Sequence, residues 1–269
     1  MKNKSKLSYI KLIEALQSIH EKYNRGPWAP LRPSKISCDA EKAFINGMRE
    51  AFDETLPVRI CSFHQKQAWR RRLVAEFKKC EKTDIKYREK VFSVLRACVF
   101  SPFCENLALR DDLYDILREK VSKAPQPVRQ AVENFILYLK FTWLNSDGHL
   151  SFTNWDHFND TLAGDSDSTN NVSESINSGF NRTINVGYKS YKRVCRSIKK
   201  HKCRSIDHVW DTVGAGRQDL RKKCHRERIA NRKFYVTEFD KLSVTEQRKQ
   251  YKTFLNQILT TLKISKKKK

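Results

Sequence analysis

The sequence predicts an α/β fold that is mostly helical, and three features carry that prediction. Two short apolar segments, Lys35–Asp39 and Val58–Cys61, each run directly into a helical pattern. From residue 63 to 143 the apolar period is helical throughout, and a last amphipathic stretch closes the chain. Two strand–helix units in succession imply a piece of α/β sheet, with a helical block following it.

Taken in order, residues 4–19 read as a helix with Ile10, Leu12, Ile13 and Leu16 as its apolar positions. Gly26-Pro-Trp-Ala-Pro-Leu-Arg-Pro33 then imposes an extended, turn-rich link. After the first strand, Ala43, Phe44, Gly47, Met48, Ala51 and Phe52 fall at helical spacing. Pro57 ends that helix, the second strand follows, and a further helix starts near Phe63.

Within the helical block, Trp69, Leu73 and Phe77 form one stripe, and Val91, Val94, Leu95 and Val99 the next. Leu113, Ile116 and Leu117 form a third. The fourth is Val128, Val132, Phe135, Ile136 and Leu139, with Pro127 suited to a helix start. Residues 144–170, rich in Asn, Asp, Ser and Gly, read as loop, with Asp160, Asp165 and Asp167 as loop acids. A helix is expected from Val172, capped by Asn170 or Asn171, with Glu174 on its polar face. The final helix begins at a capping box, Ser243 to Glu246, and buries Tyr251, Phe254, Leu255, Ile258 and Leu262.

Composition narrows the class of protein. Hydrophobic residues make up 39% of the 269, enough for a core beside 31% charged residues. The formal charge of +24 calls for a polyanionic partner, nucleic acid before an anionic membrane surface. The excess is uneven: Arg182 to Lys233 carries 17 Lys or Arg against four acids. Lys192, Arg193, Arg196, Lys199, Lys200, Lys202 and Arg204 are the DNA-binding candidates there. Tyr188, Tyr191 and Trp210 are interleaved with them, where rings can stack on unpaired bases or join the core.

No apolar run approaches a membrane span. Eight scattered cysteines and no secretory signal read as reduced thiols inside the cell, not a disulfide framework. The terminal Lys266–Lys269 run suits nuclear import or a solvated tail.

Two acids stand out as chemistry. Two-metal phosphoryl transfer needs carboxylates that converge from separate elements to hold divalent cations. Asp39, at the end of a strand that opens to solvent, fits that task, and Glu174 in the first turn of a helix can join it. On local sequence alone each has a plainer role, Asp39 as a helix N-cap and Glu174 as a partner of the helix dipole. Cys61 and His64, in Cys61-Ser-Phe-His64, can supply half of a zinc site or a structural pair beside the pocket.

Three boxes in this order resemble the catalytic domain of Mutator-like element (MULE) transposases. They are Asp39-Ala-Glu41-Lys-Ala, then Cys61-Ser-Phe-His64-Gln, then Thr169-Asn-Asn-Val-Ser-Glu174. The resemblance spans roughly residues 5–185. It implies a partial ribonuclease H-like fold with a large α-helical insertion. It implies DNA cleavage and strand transfer of the DDE type with Mg²⁺ or Mn²⁺, and Asp39 and Glu174 as the second and third catalytic, metal-binding acids. DNA is the implied partner, with homo-oligomers forming on transposon ends, in the nucleus.

Under that resemblance the chain divides into four parts. Residues 1–62 are the residual strand–helix part of the core, and 63–143 the helical insertion. Residues 144–190 carry the third acid, and 191–269 form a basic helical C-terminal region. Two departures stand out. Ser175-Ile-Asn-Ser replaces the family's His-containing continuation, and the chain begins after the place where the family keeps its first Asp. The chain alone is therefore expected to lack a complete catalytic triad. A non-catalytic basic DNA-binding module is the alternative.

Overall fold

The computed structural model describes residues 5–23, 35–145, 150–164 and 223–262. The chain separates into two units, residues 1–168 with 229–269, and residues 169–228. The first unit is mostly helical and contains a small parallel sheet.

Helix α1 (Lys6–Tyr23) precedes strand β1 (Ile36–Cys38), helix α2 (Lys42–Ala51), strand β2 (Val58–Ile60) and helix α3 (Ser62–Glu76). β1 and β2 pair in parallel, with Ile36 opposite Val58 and Cys38 opposite Ile60. The two-residue alternation of a strand puts Ile36, Cys38, Val58 and Ile60 on the buried face. Ser37 and Arg59 share the other face. A parallel pair needs a crossover, and α2 supplies it.

α1 lies against α2 at Gly47, where an added Cβ would stand 2.9 Å from Tyr9 Cβ and 3.1 Å from the Lys6 carbonyl oxygen. Only a residue without a side chain allows that approach. The Tyr9 and Phe44 rings meet edge to face at 5.1 Å on the same seam. The expected apolar stripe of α1 is narrower than its sequence suggests. Ile13 is buried, while Leu7, Leu12 and Leu16 are exposed, because α2 is the neighbour that covers this helix. In α2 the deepest side chain is Ile45, one position from the expected Phe44, which is only partly covered.

The helical block follows as α4 (Ile85–Cys98), α5 (Leu109–Lys120) and α6 (Gln126–Tyr138), and a wide π-type turn at Leu139–Trp143 extends α6. All four expected stripes are buried: Trp69, Leu73, Phe77; Val91, Val94, Leu95, Val99; Leu113, Ile116, Leu117; and Val128 to Leu139. At their centre Trp69 packs edge to face on Trp143 at 5.7 Å and on Trp155 at 5.4 Å. The Trp155 indole N–H donates to the carbonyls of Trp143 and Leu150, so its buried polar end is satisfied.

Trp155 overturns the expectation of a plain loop over residues 144–170. Residues 152–154 form a 3₁₀ turn and Phe158–Leu162 a short helix, α7. Phe152, Trp155 and Phe158 are buried along with Asp156 and His157. Their aromatic rings recur every third residue, which suits a tight turn applied to a core. The left-handed Gly164 (φ 84°) ends the segment, its N–H donating to the Thr161 carbonyl.

Helices α8 (Lys223–Asp240) and α9 (Val244–Leu262) complete the order. The capping box forms as expected, with the Ser243 N–H and hydroxyl both donating to Glu246. Tyr251, Phe254, Leu255 and Ile258 are buried, and Leu262 is partly buried. α9 lies on α4 and α5, which makes it part of the same unit as the helical block. Arg248 donates twice to Asp112, at 2.9 and 2.8 Å, and the Tyr251 hydroxyl pairs with Ser101 at 2.8 Å.

Candidate functional site

In a parallel sheet the carboxyl ends of neighbouring strands open on the same side, which is where such folds place ligands. Asp39 follows β1 directly, and Cys61 follows β2. The Cys61 N–H donates to the Cys38 carbonyl at 2.8 Å, so the register holds to the very end of the pair. One turn into α3, His64 turns back toward the neighbouring strand, its Nδ1 2.9 Å from Asp39 Oδ1. Two of the sequence boxes thus meet in space.

Burial sorts the residues at this end. The Asp39 side chain is 55% exposed and His64 27%, while Cys61 is fully buried. Cys38, beneath Asp39, is a buried thiol whose pKa is pushed up to about 12, first by burial and then by the Asp39 charge. It is therefore a core group and not a nucleophile. Cys38, Cys80, Cys98 and Cys104 are free thiols.

Asp39 is not a helix cap. The N-cap of α2 is Glu41, in extended backbone, and Asp39 contributes only its carbonyl to the turn, accepting from the Glu41 N–H. The capping role left open by local sequence is thereby removed. Glu41, the other acid of its box, accepts a hydrogen bond from the Tyr9 hydroxyl at 2.8 Å, which ties α1 to this end of the sheet.

An oxygen donor exposed at a strand end is the kind that Mg²⁺ and Mn²⁺ take, so Asp39 fits a hard divalent cation in type. Among the described residues no group of three or more His, Cys, Asp or Glu side chains gathers to hold a metal ion. Glu174 lies outside the described residues, as do Lys192, Arg193, Arg196, Lys199, Lys200, Lys202 and Arg204.

Asp160, expected to be a loop acid, is instead a junction. It sits in α7 with Lys35 Nζ at 3.4 Å, Arg59 Nε at 3.2 Å and His157 Nδ1 at 3.3 Å. Burial raises its pKa, but the His157 hydrogen bond and the Arg59 and Lys35 charges outweigh that and hold it at about 2. Arg59 also donates to the Thr153 carbonyl, and Arg49 of α2 to the Asn154 side chain. Residues 152–160 are thereby fastened across the sheet face opposite the buried one. Sequence reasoning missed this because the partners are far apart in the chain, and only the Phe152, Trp155, Phe158 spacing hinted that the segment is packed.

A separate cavity of about 250 Å³ opens between α8 and α9, lined by Phe234, Tyr235, Phe239 and Phe254 among others. None of the residues at the strand ends lines it. Among the described residues no helix is long and apolar enough to cross a membrane. No protein-family model, curated protein or solved structure matches the chain.

Proposed function

We propose that the chain carries part of a ribonuclease H-like, DDE-type transposase catalytic domain of the Mutator-like kind. Its ancestral chemistry is metal-dependent DNA cleavage and strand transfer. The observation that carries the reading is the 2.9 Å approach of His64 to Asp39 at the open ends of two parallel strands. An acid box and a Cys-x-x-His box have no need to meet if they only cap separate helices.

In this reading Asp39 and Glu174 hold Mg²⁺ or Mn²⁺, which when bound stabilises charge on the phosphoryl group under attack. The contribution of the chain itself is positional. β1 fixes the backbone of Asp39, and α3 brings the His64 imidazole to 2.9 Å from its carboxylate. The buried Cys61 anchors the start of α3 so that His64 faces the strand end.

A second reading is a basic DNA-binding module without catalysis. It is favoured by the excess of 13 positive charges over Arg182 to Lys233. A plasmid-nicking assay with Mn²⁺ separates the two. Nicking that depends on the divalent ion and is lost in both Asp39→Ala and Glu174→Ala supports the transposase reading. Nicking that persists in the double variant removes it. Without nicking, which an incomplete triad also predicts, salt-sensitive DNA binding together with Mn²⁺ uptake that neither substitution weakens favours the module, with the basic stretch as its DNA contact.

A further inference from the structure

We propose that Lys66 and Arg232, which meet over the Phe100 ring, form with Arg96 a binding site for a phosphate group. The three cations come from α3, α4 and α8, within one compact unit. Lys66 Nζ stands 5.7 Å from the centre of the Phe100 ring, and Arg232 Cζ stands 4.5 Å from it. Arg96 donates to the Leu262 carbonyl at 2.9 Å, and Arg232 to the neighbouring Thr261 hydroxyl at 3.3 Å. Both arginines thus converge on the last residues of α9.

The end of α9 compensates this charge only in part. A helix C-terminus carries about half a negative charge, less than the charge of the two guanidinium groups alone. Among the described residues none of the three cations is ion-paired with a carboxylate, and Lys66 has only the ring beneath it. Burial first, and then repulsion from Arg232 and Arg96, push the Lys66 ammonium down to about 7. Burial likewise lowers Arg232 to about 10. Among the described residues folding brings these like charges together with no carboxylate beside them, an arrangement that an anion from outside would stabilise.

Phosphate is the anion that fits. Each guanidinium uses one nitrogen on α9, leaving further N–H groups in a planar fork that matches phosphate oxygens. The ammonium adds a compact charge, and Phe100 supplies a flat floor. All three residues are half-buried, so an anion bound to them would sit in a partly dry setting. The inference goes beyond the transposase reading and does not rest on it. The phosphate group can belong to a nucleic-acid backbone or be free.

Thermal unfolding in inorganic phosphate, against chloride at matched ionic strength, tests the pocket in the full chain. Wild type is expected to gain about 3 °C or more at saturating phosphate. Lys66→Met, which keeps the stem and removes the charge, is expected to melt higher in chloride and lose most of the phosphate gain. Affinity for a short DNA duplex, measured against salt, then identifies the source. A log–log slope shallower by about 1 in Lys66→Met assigns the pocket to a backbone phosphate. An unchanged slope, or no duplex binding at all, beside a lost phosphate gain assigns it to a free phosphate group. Equal phosphate gains in both proteins, or none in either, overturn the proposal.

Discussion

Asp39 and His64 stand 2.9 Å apart because β1 and β2 run parallel and in register up to Cys38 and Ile60. Neither residue lies within a strand, yet the strands decide the encounter. β1 delivers Asp39 at its end, and the turn after Cys61 starts α3 with His64 in its first turn. The pair is partly solvated, so it contributes little to stability, as exposed ion pairs generally do.

Asp39→Ala should therefore change the melting temperature by less than about 1 °C, within the range of surface substitutions of about ±0.5 kcal/mol. A scanning-calorimetry comparison with wild type checks this. A large loss would make Asp39 a structural residue and weaken its assignment as a metal ligand.

Gly47→Val places a branched side chain where even a Cβ stands 2.9 Å from Tyr9 Cβ. The helices α1 and α2 must separate, at a cost of about 1–3 kcal/mol. Denaturant titration should show the lower midpoint. An unchanged midpoint would mean that α1 does not hold to α2 at this seam.

Asp160→Asn removes the charge shared by Lys35, Arg59 and His157. Its pKa is lower in the folded chain, at about 2, than the ordinary 3.8, so its contribution is present above about pH 4 and is lost as pH falls toward 2. The variant is expected to be less stable by about 1–3 kcal/mol at neutral pH. That gap should narrow between pH 4 and 2. A gap independent of pH across that window would contradict the ion-pair account.

Asp156 shows the opposite sign. It is buried in the turn before α7, its Oδ1 accepting from the Phe158 N–H, and burial raises its pKa to about 7. The folded chain binds this proton more tightly than the unfolded one, so stability from this group falls as pH rises from 4 to 7. Asp156→Asn keeps the acceptor and removes the charge. Its melting temperature should exceed that of wild type by a margin that grows from pH 4 to 7 and is level above. A margin that shrinks over that range would contradict the assignment.

The parts of the fold legible in the sequence were those with a clear period and local punctuation. Trp69, Leu73 and Phe77, or Val128 to Leu139, mark helix faces by spacing alone, and Pro57 and the Ser243–Glu246 box mark boundaries. What stayed hidden depended on partners distant in the chain. Leu12 and Leu16 are as apolar as Ile13, but only Ile13 is covered. Residues 150–164 read as loop because their Asn, Asp and Ser outnumber their rings, yet several of those polar groups have partners, some far along the chain, as Asn154 has in Arg49 and Asp160 in Lys35 and Arg59. Ser151 caps its turn and Asp156 caps Phe158. At the candidate site the sequence located Asp39 and His64 separately, and only the strand register brings them together.

Manganese binding to the full chain, followed by electron paramagnetic resonance, tests the central assignment most directly. Wild type is expected to take up Mn²⁺, with Asp39→Ala and Glu174→Ala each weakening it about tenfold or more while both variants melt like wild type. Undiminished Mn²⁺ binding in both variants would contradict the account.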